Sequence, residues 1–196
     1  MTGAAFNTSR IAAWTEAILA GEIGTIVRVF MQHGAGAPEL VWEPSPEQLP
    51  APPLRFLAEH WRRLAPAAGP PHRRHIDPLE LRPALGYLML LEPVDDCRDF
   101  RYRLYGSELS RISGLDMTGR LLSQHVISRY AADFGIAVYR AAALRGRPLY
   151  SSRSPVGAED TNRWARLALP FVDDDGTVTR ILAGSAALRI DGTMIP

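Results

Sequence analysis

Lysine is absent: all 22 basic side chains among the 196 residues are arginine. Without an ε-amine there is no Schiff-base nucleophile, no phosphate-cradling lysine of a P-loop and no kinase lysine, so those chemistries are excluded whatever the fold. Cysteine is reduced to Cys97 alone, which permits no internal disulfide and no cysteine-rich metal site. Long uncharged apolar runs are missing too, and none approaches the roughly 20 residues that span a bilayer. Met1 to Arg10 lacks the basic-then-apolar order of a secretory signal. Net charge is almost absent, +1 from 22 positive and 21 negative groups, so no global field draws the chain to nucleic acid or anionic lipid. The expectation is a cytoplasmic protein with neither membrane nor nucleic acid as a partner.

What is present is a 46% apolar composition, enough for one domain with a real core plus an appendage. The clearest boundary is residues 38–53, PELVWEPSPEQLPAPP, whose six prolines remove backbone donors and argue against a helix or central strand. It divides the chain into an N-terminal module (1–37), a Pro-rich linker (38–53) and a main domain (54–191). In the module, Thr8 or Ser9 can cap a helix with Ile11, Trp14, Ile18 and Leu19 on one face. The β-branched stretch Thr25 to Phe30 fits a second helix or a short strand. This amphipathic module is expected to be a homodimerisation surface.

In the main domain, Leu54, Leu57, Trp61 and Leu64 form the stripe of an opening helix, and Asp77-Pro78-Leu79-Glu80 reads as the start of a short one. Tyr87 to Leu91 and Phe100 to Tyr105 read as strands joined by a polar hairpin connection. Helical pieces follow around Ser107–Ser113 and Leu121–His125, then a longer helix from about Ser128 to Arg145 that stops at Gly146. Three strands finish the chain: Pro148–Ser152, Trp164–Val172 and Thr177–Ile190. Asp173-Asp174-Asp175-Gly176 supplies the last hairpin turn. The order is that of an α+β domain, an antiparallel sheet with helices on one face.

At this point particular motifs carry a resemblance. Arg74-His75-Ile76-Asp77-Pro78, the strand Phe100-Arg101-Tyr102-Arg103-Leu104-Tyr105-Gly106-Ser107 and the turn Gly114-Leu115-Asp116-Met117-Thr118-Gly119 resemble "R-x-I-D-P", "F-R-Y-R-L-x-G-T" and "G-x-D-x-T-G" of the single-domain PAS family of alphaproteobacteria. That family was formerly a domain of unknown function. Ser107 replaces the usual threonine, and the likeness spans roughly Leu54 to Ile190. It implies a five-stranded antiparallel sheet of order 2-1-5-4-3, a helical face able to enclose a small ligand, and signalling by dimerisation or docking on a separate protein. On that footing Tyr102, Leu104, Phe134, Val138 and Leu167 are expected near the ligand. Haem-binding relatives draw their axial ligand from the long-helix region, which makes His125 the candidate haem ligand; no cofactor is required by the sequence. The cysteine motif of the flavin-photochemical relatives is missing.

Other chemistry is thin. His72 and His75 flank two arginines and lack further donors for a metal. Asp173–Asp175 does not space its carboxylates as a calcium loop, and Ser185 lacks the second glycine of a nucleophile elbow. Cys97 is read as a passive thiol. Arg55, Arg62, Arg63, Arg73 and Arg74 form the one basic patch, a candidate surface for an acidic partner. The expected function is a stand-alone sensory or regulatory domain without catalysis. The alternatives are a small acid–base enzyme using, for example, His125 beside Asp133, and a haem-based gas or redox sensor.

Overall fold

A strand that is apolar on both sides must be covered on both sides. Leu88-Met89-Leu90-Leu91 is such a segment. In the computed structural model, which describes residues 7–67, 69–124, 128–155 and 163–196, it opens the second of six strands. These are β1 (Glu39–Trp42), β2 (Leu88–Val94), β3 (Asp99–Tyr105), β4 (Leu149–Arg153), β5 (Arg163–Val172) and β6 (Val178–Leu188). They form one antiparallel sheet in the order β1-β4-β5-β6-β2-β3. Read without β1, the order of the remaining five is the expected 2-1-5-4-3. The α+β class therefore holds.

Two details differ from the expectation. The Pro-rich segment contributes the sixth strand: its prolines fall on either side of Glu39–Trp42, so the backbone donors of that stretch remain free to pair with β4, Leu40 against Ser151 and Val41 against Tyr150. Helices also cover both faces of the sheet rather than one. Ala165, Leu167, Leu169 and Phe171 of β5, with Leu182 and Ala186 of β6, meet Leu54, Leu57 and Trp61 of one helix, α3 (Pro52–Leu64). Trp61 Nε1 donates to the Pro170 carbonyl at 2.8 Å, which fixes that helix on the sheet. The alternate residues Ala168, Ile181 and Ala183 face the other helices.

Those other helices include the N-terminal stretch. α1 (Thr8–Ala20) is capped by Asn7, whose side chain accepts from Arg10 N, and ends at Gly21 with φ +77°. The ambiguous stretch after it is α2 (Gly24–Gln32). Ile11, Trp14 and Ile18 of α1 and Ile26 and Phe30 of α2 share one buried cluster with Phe134 and Tyr139 of the long helix α5 (Arg129–Arg145). Phe30 meets Tyr130 and Phe134 edge-on, at centroid distances of 4.9 and 5.1 Å. The N-terminal module is thus part of the main core, and the apolar stripe read as a dimerisation surface is used within the chain.

Between β3 and α5 the chain forms α4 (Ser107–Ser113) and a short 3₁₀ turn, Leu122–Gln124. The helix expected after Asp77 is instead an Asx turn, Leu79 N donating to Asp77 Oδ1 at 2.8 Å, and then a 3₁₀ segment, Arg82–Tyr87. Pro83 and Gly86 leave no room for a full α-helical turn. Among the described residues no helix is long and apolar enough to cross a membrane.

Candidate functional site

The first turn of α5 stands off the sheet instead of packing onto it. A cavity of about 380 Å³ remains there, walled by α5, by β3, β4 and β5, and by the ends of α2 and α4. Its volume lies in the range of small-molecule sites. Tyr102 and Tyr105 enter from β3, Arg153 from β4, Trp164 and Arg166 from β5, and Tyr130, Ala131 and Gly135 from α5.

Strand register explains the two arginines. Arg153 lies opposite Trp164, and Ser151 opposite Arg166, so Arg153 and Arg166 are diagonal neighbours on the α5 face of the sheet. Both are half-buried, and both border the cavity. Burial, and after it the like charge of Arg166, pushes the Arg153 guanidinium down to about 10, still protonated at neutral pH. Burial opposes the charge on Arg166 as well, but Tyr139, Tyr102 and Tyr105 outweigh it and hold its pKa above the ordinary value. Among the described residues no carboxylate comes within ion-pair distance of either guanidinium, and Arg166 Nε has no hydrogen-bond partner.

Tyrosines complete the polar lining. Burial, followed by the neighbouring Tyr139, raises the Tyr102 hydroxyl far above its usual value, so it stays protonated and able to donate. Burial does the same to Tyr139. The Arg166 guanidinium lies 5.7 Å from the Tyr139 ring centre and acts on its hydroxyl, but that hydroxyl is buried outside hydrogen-bonding geometry with any described partner. Tyr105 reaches Ser113 Oγ at 3.5 Å. His33, at the end of α2, stacks obliquely on Tyr130 with centroids 4.3 Å apart, and its Nδ1 meets the Val29 carbonyl at 2.9 Å.

Of the five residues expected near a ligand, Tyr102 lines the cavity. Leu104 and Leu167 belong to the opposite face, packed with α3, because alternation and a bulge opposite Leu90/Leu91 turn them away. Phe134 packs on Phe30, and Val138, four residues on, is buried on the same side of α5. His125 lies outside the described residues. Asp133, considered as its acid–base partner, turns toward α1 and accepts from Arg10 NH1 at 3.2 Å.

The arginine patch is largely engaged. Arg55 Nε donates to the Leu49 carbonyl at 2.7 Å and Arg62 to that of Pro44 at 2.8 Å, so both clamp the Pro-rich segment onto α3. Arg63 faces Glu80 at 3.5 Å, and Arg73 pairs with Asp173 at 3.0 Å. Arg74 donates its backbone N–H to His72 Nδ1 at 3.0 Å. His72 Nε2 meets Asp174 Oδ1 at 3.0 Å, an exposed hydrogen bond. Cys97 is half-buried in the β2–β3 turn, where burial pushes its thiol up and leaves it a poor nucleophile.

Sequence reasoning missed Arg153 and Arg166. A charged residue alternating with Ala165, Leu167 and Leu169 reads as the solvent side of a strand; only the central place of β5, with both faces covered, turns that position inward. No curated protein and no solved structure matches the chain. A comparison with known families does match, to the PAS domain family over residues 50–186, from just before α3 into β6. That stretch holds β2 to β5 and most of β6, the cavity wall apart from His33, and both arginines, and the chain belongs to the PAS domain family.

Proposed function

We propose that this chain is a cytoplasmic regulatory domain that senses a small molecule in the cavity beside α5 and passes its occupancy to a separate protein, without catalysing a reaction. The observation that carries this reading is the cavity itself. Interiors are close-packed, and voids larger than a water molecule are few. Here about 380 Å³ stays open among aromatic walls, beside a helix whose other side is fully packed against α1 and α2.

Occupancy becomes a signal only if the ligand binds two arrangements of the protein with different affinity. The first turn of α5 and the end of α2 both border the cavity, so a ligand would tighten their mutual placement. Self-association belongs to the same proposal but needs a face other than the buried stripe of α1. The catalytic alternative has less support, since Asp133 faces Arg10 and Cys97 is a weak nucleophile.

Native mass spectrometry of the purified protein tests this directly. A retained small molecule, or a clear rise in Tm with members of a metabolite set, is expected. A bare chain that no compound stabilises would leave the domain as a docking module and overturn the sensing role.

A further inference from the structure

We infer that the cavity takes a small organic acid, its carboxylate held between Arg153 and Arg166 and its apolar body lying against Trp164, Leu122 and the tyrosine rings. The inference rests on the cavity being the signal site, as proposed above, and adds the chemical class of its ligand.

Three observations converge on a negative charge. Two like-charged guanidinia, diagonal neighbours on adjacent strands, border the cavity with no carboxylate in ion-pair distance among the described residues. A partly buried cation with no counter-ion among the described residues is a costly arrangement that an incoming anion relieves. Next, the first turn of α5 opens on the same space through Ser128, Tyr130, Ala131 and Ala132, with no acidic residue in that turn and no hydrogen bond from the Ser128 side chain to cap it. The N-terminal end of a 17-residue helix carries the positive end of its dipole, which favours an anion. Finally, the Tyr102 hydroxyl, kept protonated by burial, stands on the adjacent wall as a donor, with the Tyr105 hydroxyl beside it.

The rest of the lining selects the body of the ligand. Leu122, Trp164, Pro155 and the alanines of α5 offer no further charge. An inorganic anion would satisfy the arginines and leave this apolar surface wet. A carboxylate on a flat or branched apolar body uses both parts. Gly135 keeps room beside the Arg166 guanidinium: an added Cβ would lie 3.6 Å from its NH1.

The test compares phenylacetate with its neutral isostere phenylacetamide, and with inorganic phosphate, by calorimetric titration of the full chain. Phenylacetate is expected to bind about ten- to a hundredfold more tightly than the amide, the range of a charge-assisted hydrogen bond, and more tightly than phosphate. Arg166→Met and Arg153→Met should each remove that preference while leaving the Tm of the ligand-free protein unchanged or raised, since each removes one of two neighbouring like charges. Equal binding of acid and amide, competed out by Gly135→Leu, would keep the cavity as the site and overturn the anionic class. Phosphate binding as tightly as phenylacetate, or a fall in ligand-free Tm in both arginine variants, would also overturn it. If neither organic probe binds, negative-ion mass spectrometry of the small molecule extracted from the purified protein decides. A retained acid supports the inference, a retained neutral compound refutes it, and an empty protein removes the sensing role with it.

Discussion

Replacing Gly135 with alanine should make the protein more stable and a worse receptor. Gly135 sits in the interior of α5, where glycine is about 1 kcal/mol less favourable than alanine because it surrenders more backbone freedom. Nothing blocks a side chain. An added Cβ would find Arg166 NH1 at 3.6 Å and the two Leu122 methyl carbons at 3.7 and 3.8 Å, all ordinary van der Waals separations. A methyl group removed from water contributes up to about 0.8 kcal/mol more, less here because one side of it borders the cavity. The expected gain is therefore about 1 to 2 kcal/mol, a Tm rise of about 2–8 °C for a chain of this size. Urea unfolding should show a higher midpoint with an unchanged slope, while the methyl narrows the space beside Arg166 and weakens ligand binding. A lower Tm would refute the reasoning, because it would mean that the glycine is needed for close approach of backbones and not for open space.

The remaining predictions concern the frame around the site. Phe30→Ala removes a fully buried ring that meets Tyr130 and Phe134, and should cost about 3–5 kcal/mol in urea unfolding; a loss below about 1 kcal/mol would restore the N-terminal stretch to the status of an appendage. Gly106→Ala would push a Cβ to 2.3 Å from the Gly86 carbonyl oxygen, a backbone atom that cannot swing aside. Its expression as soluble, native-like protein with unchanged Tm would contradict the close crossing of those two segments. Asp133 is fully buried beside Arg10, and burial raises its carboxyl pKa despite Arg10 and Arg129. A raised carboxyl favours its protonated form in the fold, so its contribution is fully present below the unfolded value near 3.9 and is lost as pH climbs through the folded value. Asp133→Asn should accordingly gain on the parent as pH rises from about 4; a parent that gains on the variant instead would show that the Arg10 pair outweighs burial.

The local order of elements was readable because each strand and helix carries its own period. Leu149 to Arg153, Arg163 to Val172 and Val178 to Leu188 fall within a few residues of the expected strands, and Gly146, with φ +64°, stops α5 where the sequence places the stop. What depends on distant partners was not readable. Thr25 to Phe30 is rich in β-branched residues, yet it is helical because Ile26 and Phe30, four residues apart, both find the surface of α5. Glu39 to Trp42 has no strong strand signal of its own and is recruited by the open edge of β4. The same limit hid the site. Tyr102 was legible as an inward residue of an alternating strand, whereas Arg153 and Arg166 look like surface residues until the neighbours of β4 and β5 are known.

That hidden pair changes what the absence of lysine means for the molecule. An ammonium group enclosed beside a second cation loses its proton readily, because its ordinary pKa lies only a few units above neutrality. Arginine starts higher, and even Arg153, pushed down to about 10 by burial and by Arg166, keeps its charge at neutral pH. Two permanent charges can therefore be held side by side at the cavity wall, but only at a standing cost. Like charges on neighbouring strands repel, and the less water screens them the more that repulsion costs. The close packing of α3 on one face and of α1 and α2 around α5 on the other supplies the stability that offsets this repulsion. An anion that enters removes the repulsion and adds its own attraction. The binding energy then arises where the first turn of α5 meets the sheet, next to the end of α2, so the elements best placed to respond are the ones at the cavity wall.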